Sequence, residues 1–185
     1  MTDAIVEIRS AVRPHLQQLE AGDTYLVAVS GGADSLALAY ALIKESESLA
    51  LRAIAVTIDH QLQNQSAAVA EKTADQLRRF GYQEVLIEKV VVSTESGVEA
   101  GARDARYQAL STLAEKFNST KVFLGHTRDD QAETVLLGLA RGSGTRSLSG
   151  MAIENGIYLR PLLAITREQT ERACKEIEVE YWNDP

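Results

Sequence analysis

The chain is short of cysteine, aromatic residues and basic charge, and each shortage closes off a class of protein. Its single cysteine, Cys174, cannot form an internal disulfide or the paired thiols of a Cys-x-x-Cys metal or redox site. Such a residue ordinarily serves as a small apolar group on a helix. Lys and Arg number 19 against 26 Asp and Glu, giving a formal net charge of −7. A chain of that sign gains no general counterion-release attraction for nucleic acid, so any RNA contact needs a local basic patch. No apolar run could span a bilayer, and Met1 to Leu19 intersperses Asp3, Glu7, Arg9 and Arg13 among its apolar residues, unlike a signal peptide. No membrane partner is expected, and the expected compartment is the cytoplasm. Neither the Gly-Lys-Ser/Thr ending of the Walker loop nor a Gly-x-Gly-x-x-Gly fingerprint occurs.

What is present reads as one α/β domain. Ile5, Ile8, Val12, Leu16 and Leu19 recur at helical spacing and predict an opening amphipathic helix. Apolar, β-branched runs predict strands at Tyr25–Ser30, Arg52–Asp59, Val85–Val92 and Lys121–Gly125. Helices are expected over Asp34–Glu45, to Phe80 from a cap at Ser66 with Gly81 as stop, from Ser96 through Lys116, over Asp129–Leu139 and after Thr166. Strands alternating with helices predict a Rossmann-like, mostly parallel sheet with helices on both faces. Ligands of such sheets sit beyond the carboxyl ends of the strands.

Three motifs fall there. Ser30-Gly-Gly-Ala-Asp-Ser35 follows the first strand and opens a helix. Its glycines let backbone approach an anion, and the helix start offers unpaired N–H groups with positive dipole character. A plain tight turn, with Asp34 favoured by the dipole, is the simpler account of Gly-Gly alone. Asp59-His60 after the second strand can hydrogen-bond a substrate or merely satisfy itself. In Gly125-His-Thr-Arg-Asp-Asp-Gln-Ala-Glu-Thr134, His126, Asp130 and Glu133 recur at i, i+4 and i+7, which predicts one shared helical face. Val135, Leu136 and Leu139 are expected to give apolar cover on another face. An imidazole with two carboxylates suits acid/base work, magnesium binding or recognition of an ammonium group. Alternatively, Thr127 and Asp130 form a capping box and Glu133 is solvated. Arg103 and Arg106 stand one turn apart, able to steady phosphate charge or to pair with Glu99 and Asp104. The Gly- and Ser-rich stretch 141–151 carries two arginines and reads as a lid or a connector.

In order, Ser-Gly-Gly-Ala-Asp-Ser (30–35), Asp-His (59–60), Ala-Arg-Asp-Ala-Arg-Tyr (102–107), the 125–134 element, Arg-Gly-Ser-Gly (141–144) and Arg-Pro-Leu-Leu (160–163) resemble the N-terminal catalytic domain of the tRNA(Ile)-lysidine synthetase family, from roughly Tyr25 to Pro185. After Asp59-His60 that family usually continues Gly-Leu-Arg, where this chain has Gln61-Leu62-Gln63. The resemblance implies a PP-loop ATPase fold of the adenine nucleotide alpha-hydrolase-like type. Residues 1–185 are then expected to form a single ATP-binding catalytic domain, a fragment of a longer chain. It further implies that ATP adenylates the wobble cytidine of tRNA(Ile) with a CAU anticodon, and that free L-lysine then displaces AMP to give lysidine. Under it Ser30, Gly31, Gly32, Ala33, Asp34, Ser35, Asp59 and His60 hold ATP, and Asp34 holds Mg2+. Arg106 steadies the charged intermediate, Asp130 and Glu133 attract lysine, and His126 or a carboxylate deprotonates its amine. A homodimer is compatible with the resemblance. The alternatives are another PP-loop tRNA-modifying or amidating adenylating enzyme, or a non-catalytic nucleotide-binding module.

Overall fold

The computed structural model describes residues 3–61, 65–92, 97–140 and 149–182. The expectations at Leu62, Gln63, Ser96, the Glu99 side chain, residues 141–148 and residues 183–185 lie outside the described residues. Four strands, β1 (Thr24–Ala28), β2 (Arg52–Asp59), β3 (Glu84–Lys89) and β4 (Ser119–Leu124), pair in parallel in the order β3-β2-β1-β4. The chain therefore steps outward from β1 to β3, then crosses back to place β4 on the other side of β1. Right-handed crossovers send α2 (Ala33–Ser46) and α3 (Ser66–Phe80) to one face of the sheet and α4 (Val98–Lys116) to the other.

Burial follows that geometry at a period of two. Tyr25, Val27, Ala55 and Phe123 pack with α1 (Ala4–Leu16), α2, α3 and α6 (Arg167–Glu176). Their neighbours in sequence, Leu26, Ile54, Val56, Val122 and Leu124, pack with Leu110, Leu113 and Ala114 of α4. Helix α1 buries Ala4, Ile8, Val12 and Leu16, an i+4 stripe against α2 and α6. Its first N–H groups are received not by Asp3 but by the Glu176 carboxylate, 2.9 Å from the amides of Ala4 and Ile5.

Several boundaries depart from the sequence reading. β1 stops at Ala28 and β3 at Lys89, which leaves Val29 and Ser30 to the loop, although the Val29 N–H still bonds Val56 O at 2.8 Å. Ser66 is the first helical residue rather than the cap; Gln65 holds that position without a side-chain bond. The sheet also continues past β4 through β6 (Tyr158–Leu159, parallel to β4) and β5 (Glu154–Asn155, antiparallel to β6). This hairpin is too short to show periodicity, and Gly156, at φ +60°, turns it. Among the described residues, no helix is long and apolar enough to cross a membrane.

Candidate active site

Strand order reverses between β1 and β4, and in an open α/β sheet the crevice beyond the strand ends opens at that position. A cleft of about 710 Å³ lies there. Ser30, Gly32, Ala33, Asp34 and Ser35 line it from the loop after β1, and His60 from the end of β2. Arg103 and Arg106 reach it from α4; His126, Asp130 and Glu133 from the β4–α5 connection and α5 (Arg128–Ala140). Gly31 and Asp59 do not line it. Gly31, at φ +91°, makes the bend behind the loop, while the buried Asp59 turns back to accept the Gln61 N–H at 2.9 Å.

The loop holds its shape by its own hydroxyls. Ser35 Oγ donates to Gly32 O (3.0 Å), accepts from Ser30 N (3.1 Å) and pairs with Ser30 Oγ (3.1 Å). Gly32 is the N-cap of α2 and brings no capping side chain, so the first amides of the helix face the cleft uncapped. Gly125 closes the back: a Cβ there would stand 3.0 Å from Ser35 Cα and 3.1 Å from Ser35 N. Only glycine lets the end of β4 approach the start of α2 so closely.

A carboxylate sits in this anion-binding arrangement. Asp34 accepts from Thr170 Oγ1 and stands 3.5 Å from Arg167 Nε, with its side chain 17% exposed. Burial pushes its pKa up, against the hydrogen bond from Thr170 and the charge of Arg167. A negative group beside a phosphate site needs a cation to bridge the two. Among the described residues no group of three or more His, Cys, Asp or Glu is placed to hold a metal. One carboxylate beside phosphate-facing amides fits Mg2+, which is held by one or two carboxylates plus substrate phosphates and water.

The opposite wall is cationic. Arg103 and Arg106 both lie over the Tyr107 ring, 5.1 and 5.6 Å from its centroid. The buried Nε of Arg106 and the Nδ1 atoms of His60 and His126 have no hydrogen-bond partner among the described residues. Buried polar atoms are hydrogen-bonded in the large majority of cases, and these three belong to residues that line the cleft, where a ligand can supply the partner. Burial first, then the Arg106 charge, lowers the pKa of His126 to about 4 and lowers that of His60 as well. Both imidazoles are thus neutral at pH 7.

His126, Asp130 and Glu133 do converge, though not through one helical face. α5 begins at Arg128, so His126 comes from the strand end and only the two carboxylates share the helix. Asp130 also acts in the cap: its Oδ2 accepts from Thr127 N at 2.6 Å and from Thr127 Oγ1 at 2.9 Å. Its Oδ1 is left toward the cleft. The expected apolar cover is not realised: α5 has no buried residue, and Leu136, Leu137 and Leu139 are exposed. Sequence reasoning missed Arg167, Glu171 and Trp182, which also line the cleft. A capping box at Thr166 with Gln169 marks the start of α6, but nothing in it announces that Arg167 turns toward the loop.

A PP-loop domain model matches residues 6–185. The chain belongs to the PP-loop domain family. It is 51% identical over 178 residues to the tRNA(Ile)-lysidine synthase of Thermobifida fusca, covering 96% of this chain and 55% of that protein. It is 52% identical over 163 residues to the tRNA(Ile)-lysidine synthase of Streptomyces coelicolor, covering 86% of this chain and 46% of that one. The PP-loop chain thus spans about half the length of the curated relatives it matches. Its fold is shared with the U34-tRNA thiolase NcsA of Methanococcus maripaludis, described with its 4Fe-4S cluster, at TM-score 0.81 and 19% identity over 98% of this chain and 67% of that one. An NH3-dependent NAD synthetase of Campylobacter jejuni gives TM-score 0.61 at 14% identity, over 96% of this chain and 73% of that one. The one cysteine of this PP-loop domain is no cluster ligand: Cys174 is buried beneath the loop against Ala33 O, and burial pushes its thiol up to about 12.

Proposed function

We propose that this domain carries the catalytic centre of a cytoplasmic tRNA(Ile)-lysidine synthase, which joins lysine to C2 of the wobble cytidine of tRNA(Ile) with a CAU anticodon. The reading is supported most by one observation. A phosphate-accepting helix start and a pair of carboxylates suited to an ammonium group line the same cleft. An enzyme that spends ATP to activate a base and then attaches an amine needs both.

Ser30, Gly32, Ala33 and Ser35 hold the β- and γ-phosphates of ATP through backbone N–H and hydroxyl donors. Mg2+, held by Asp34, would neutralise the leaving pyrophosphate. The cytidine O2 attacks the α-phosphorus and pyrophosphate departs, leaving a cationic O2-adenylated base. Arg106 and the neutral His60 and His126 offer hydrogen bonds to the transferring phosphoryl group at their unpartnered nitrogens. Asp130 Oδ1, on the side of the carboxylate away from the Thr127 cap, and the exposed Glu133 orient the lysine side chain. Its deprotonated amine then attacks C2, and AMP departs with O2. The carboxylates that would hold the ammonium group are placed to take its proton directly, and the neutral His126, with its unpartnered Nδ1, has the hydrogen-bonding role.

The test is AMP formation from ATP, with the CAU-anticodon tRNA and labelled lysine each supplied or withheld. AMP that requires the tRNA, together with label entering that tRNA, is the expected result. AMP formed equally well without tRNA, or label that never enters it, refutes the assignment.

A further inference from the structure

The reaction as written gives no part to Arg167, yet its guanidinium lies between the two carboxylates that must receive cations. Nε stands 3.5 Å from Asp34 Oδ2, and a terminal nitrogen stands 3.7 Å from Asp130 Oδ1. Both separations are too long for hydrogen bonds and fall in ion-pair range. The backbone of Arg167 is anchored, its N–H donating to Asp129 Oδ2 at 2.8 Å, whereas its side chain is 55% exposed. The main chain is therefore fixed, while among the described residues the cationic head is held by two weak attractions, and it has solvent to move into.

We propose that Arg167 is the resident counter-cation of the empty cleft, and that its displacement couples the two cation subsites. This inference rests on the reading above for the identity of the incoming amine. In the empty cleft one guanidinium serves both Asp34 and Asp130, so a free ammonium group meets an Asp130 whose charge is already partly answered. When Mg2+ arrives with the nucleotide and takes Asp34, the guanidinium loses one of its two anchors and yields Asp130 to the amine. Arg167 thus disfavours amine binding before the nucleotide is in place. Coupling of this kind is reciprocal, so the amine must strengthen metal-nucleotide binding by the same factor.

Pairs of this exposure change affinities by about 1.7- to threefold each, and losing hold of both sites predicts about three- to tenfold. The experiment measures lysine binding calorimetrically to the wild type, Arg167→Gln and Arg167→Lys, with and without Mg2+ and a non-hydrolysable ATP analogue. Wild type is expected to bind lysine about three- to tenfold tighter when loaded. Arg167→Gln is expected to bind it that tightly when empty, with no more than about a twofold gain on loading. Arg167→Lys should restore the dependence on nucleotide, which a merely structural role would not require. The proposal is overturned if Arg167→Gln shows the wild-type gain, or binds lysine no tighter than the wild type in the empty cleft. If lysine binds none of the loaded proteins, the lysine assignment itself fails. The counter-cation is then decided by the Mg2+ needed for half-maximal nucleotide binding, followed through the emission of Trp182, the chain's one tryptophan and a lining residue of the cleft. A severalfold lower requirement in Arg167→Gln upholds it, and an unchanged or higher one overturns it.

Discussion

Acid should strip stability from this domain through His126 in a way that one substitution isolates. Burial and the neighbouring Arg106 charge move its pKa from the ordinary 6.5 to about 4. Below pH 6.5 the unfolded chain therefore takes up a proton that the folded chain refuses until about pH 4. The stability attached to the neutral imidazole is intact above pH 6.5 and is lost progressively between 6.5 and 4. Each pH unit of that gap corresponds to about 1.4 kcal/mol, so the whole is worth about 3 kcal/mol. Burial lowers His15 and His60 too, and the carboxylates titrate over the same range, so the wild-type curve alone assigns nothing. The informative quantity is the difference in urea unfolding free energy between the wild type and His126→Gln, at half-unit steps from pH 7.5 to 4. That difference should fall by about 1.4 kcal/mol per unit below pH 6.5. A difference that stays flat with pH would refute the neutral, desolvated imidazole, and with it the hydrogen-bonding role given to His126.

Three further outcomes follow from contacts around the cleft and beneath it. Gly125→Ala should weaken ATP binding at least about tenfold and cost roughly 1–3 kcal/mol in thermal unfolding, because the added Cβ meets the Ser35 backbone at 3.0–3.1 Å rather than a side chain that can give way. Asp34→Asn should leave unfolding stability unchanged or slightly higher, since burial already disfavours the charge, while Mg2+-dependent nucleotide binding falls at least about tenfold; urea unfolding reads the first and a fluorescence titration with and without Mg2+ the second. Glu45 joins α2 to α1 through Arg9 (2.7 Å) and Arg13 (2.6 Å), and these cations hold its pKa down. Glu45→Gln should cost roughly 1–2 kcal/mol above pH 5, a difference that shrinks as pH falls through the carboxylate range and the wild type loses the same charge; chemical denaturation at pH 7 and pH 3.5 compares them.

The fold was legible where hydrophobic period and turn chemistry agreed. Arg52–Asp59 alternates between two buried faces and ends at the predicted residues, and Gly81, at φ +117°, stops α3 where the sequence placed the stop. The edge hairpin was not legible, because two-residue strands carry no period and draw their place in the sheet from the register of β4. Leu136 and Leu139 misled for a related reason: spacing shows which residues share a helical face, not whether any layer lies against it. At the cleft, Ser30, His60, Gly125 and His126, all beside strand ends, fall among the lining residues. Asp59 does not, since a buried carboxylate two residues before an amide with positive φ closes its own turn. Arg167 was invisible because its place depends on α6 packing beside α2, a contact between segments 130 residues apart.

The topology also bears on how an acidic chain would meet the polyanionic tRNA of the proposed reaction. Arg103 and Arg106 come from the helix on one face of the sheet, whereas Asp34 comes from a helix on the other, and Asp130 and Glu133 from α5 beyond the end of β4. The crossover that returns from β3 to β4 is therefore what brings a cationic wall and an acidic wall to one strand edge. Net charge averages this separation away. Under the proposed reaction, the tRNA backbone is attracted from the α4 side and the lysine ammonium group from the α5 side, while ATP lies against the start of α2. Within about 10 Å, where screening at physiological salt is incomplete, that local division governs approach more than the overall charge of −7. Exchanging the sign of one wall, for instance Arg103→Glu, should consequently weaken tRNA binding and leave the affinity for free lysine nearly unchanged. Parallel loss of both would mean that the walls do not act separately.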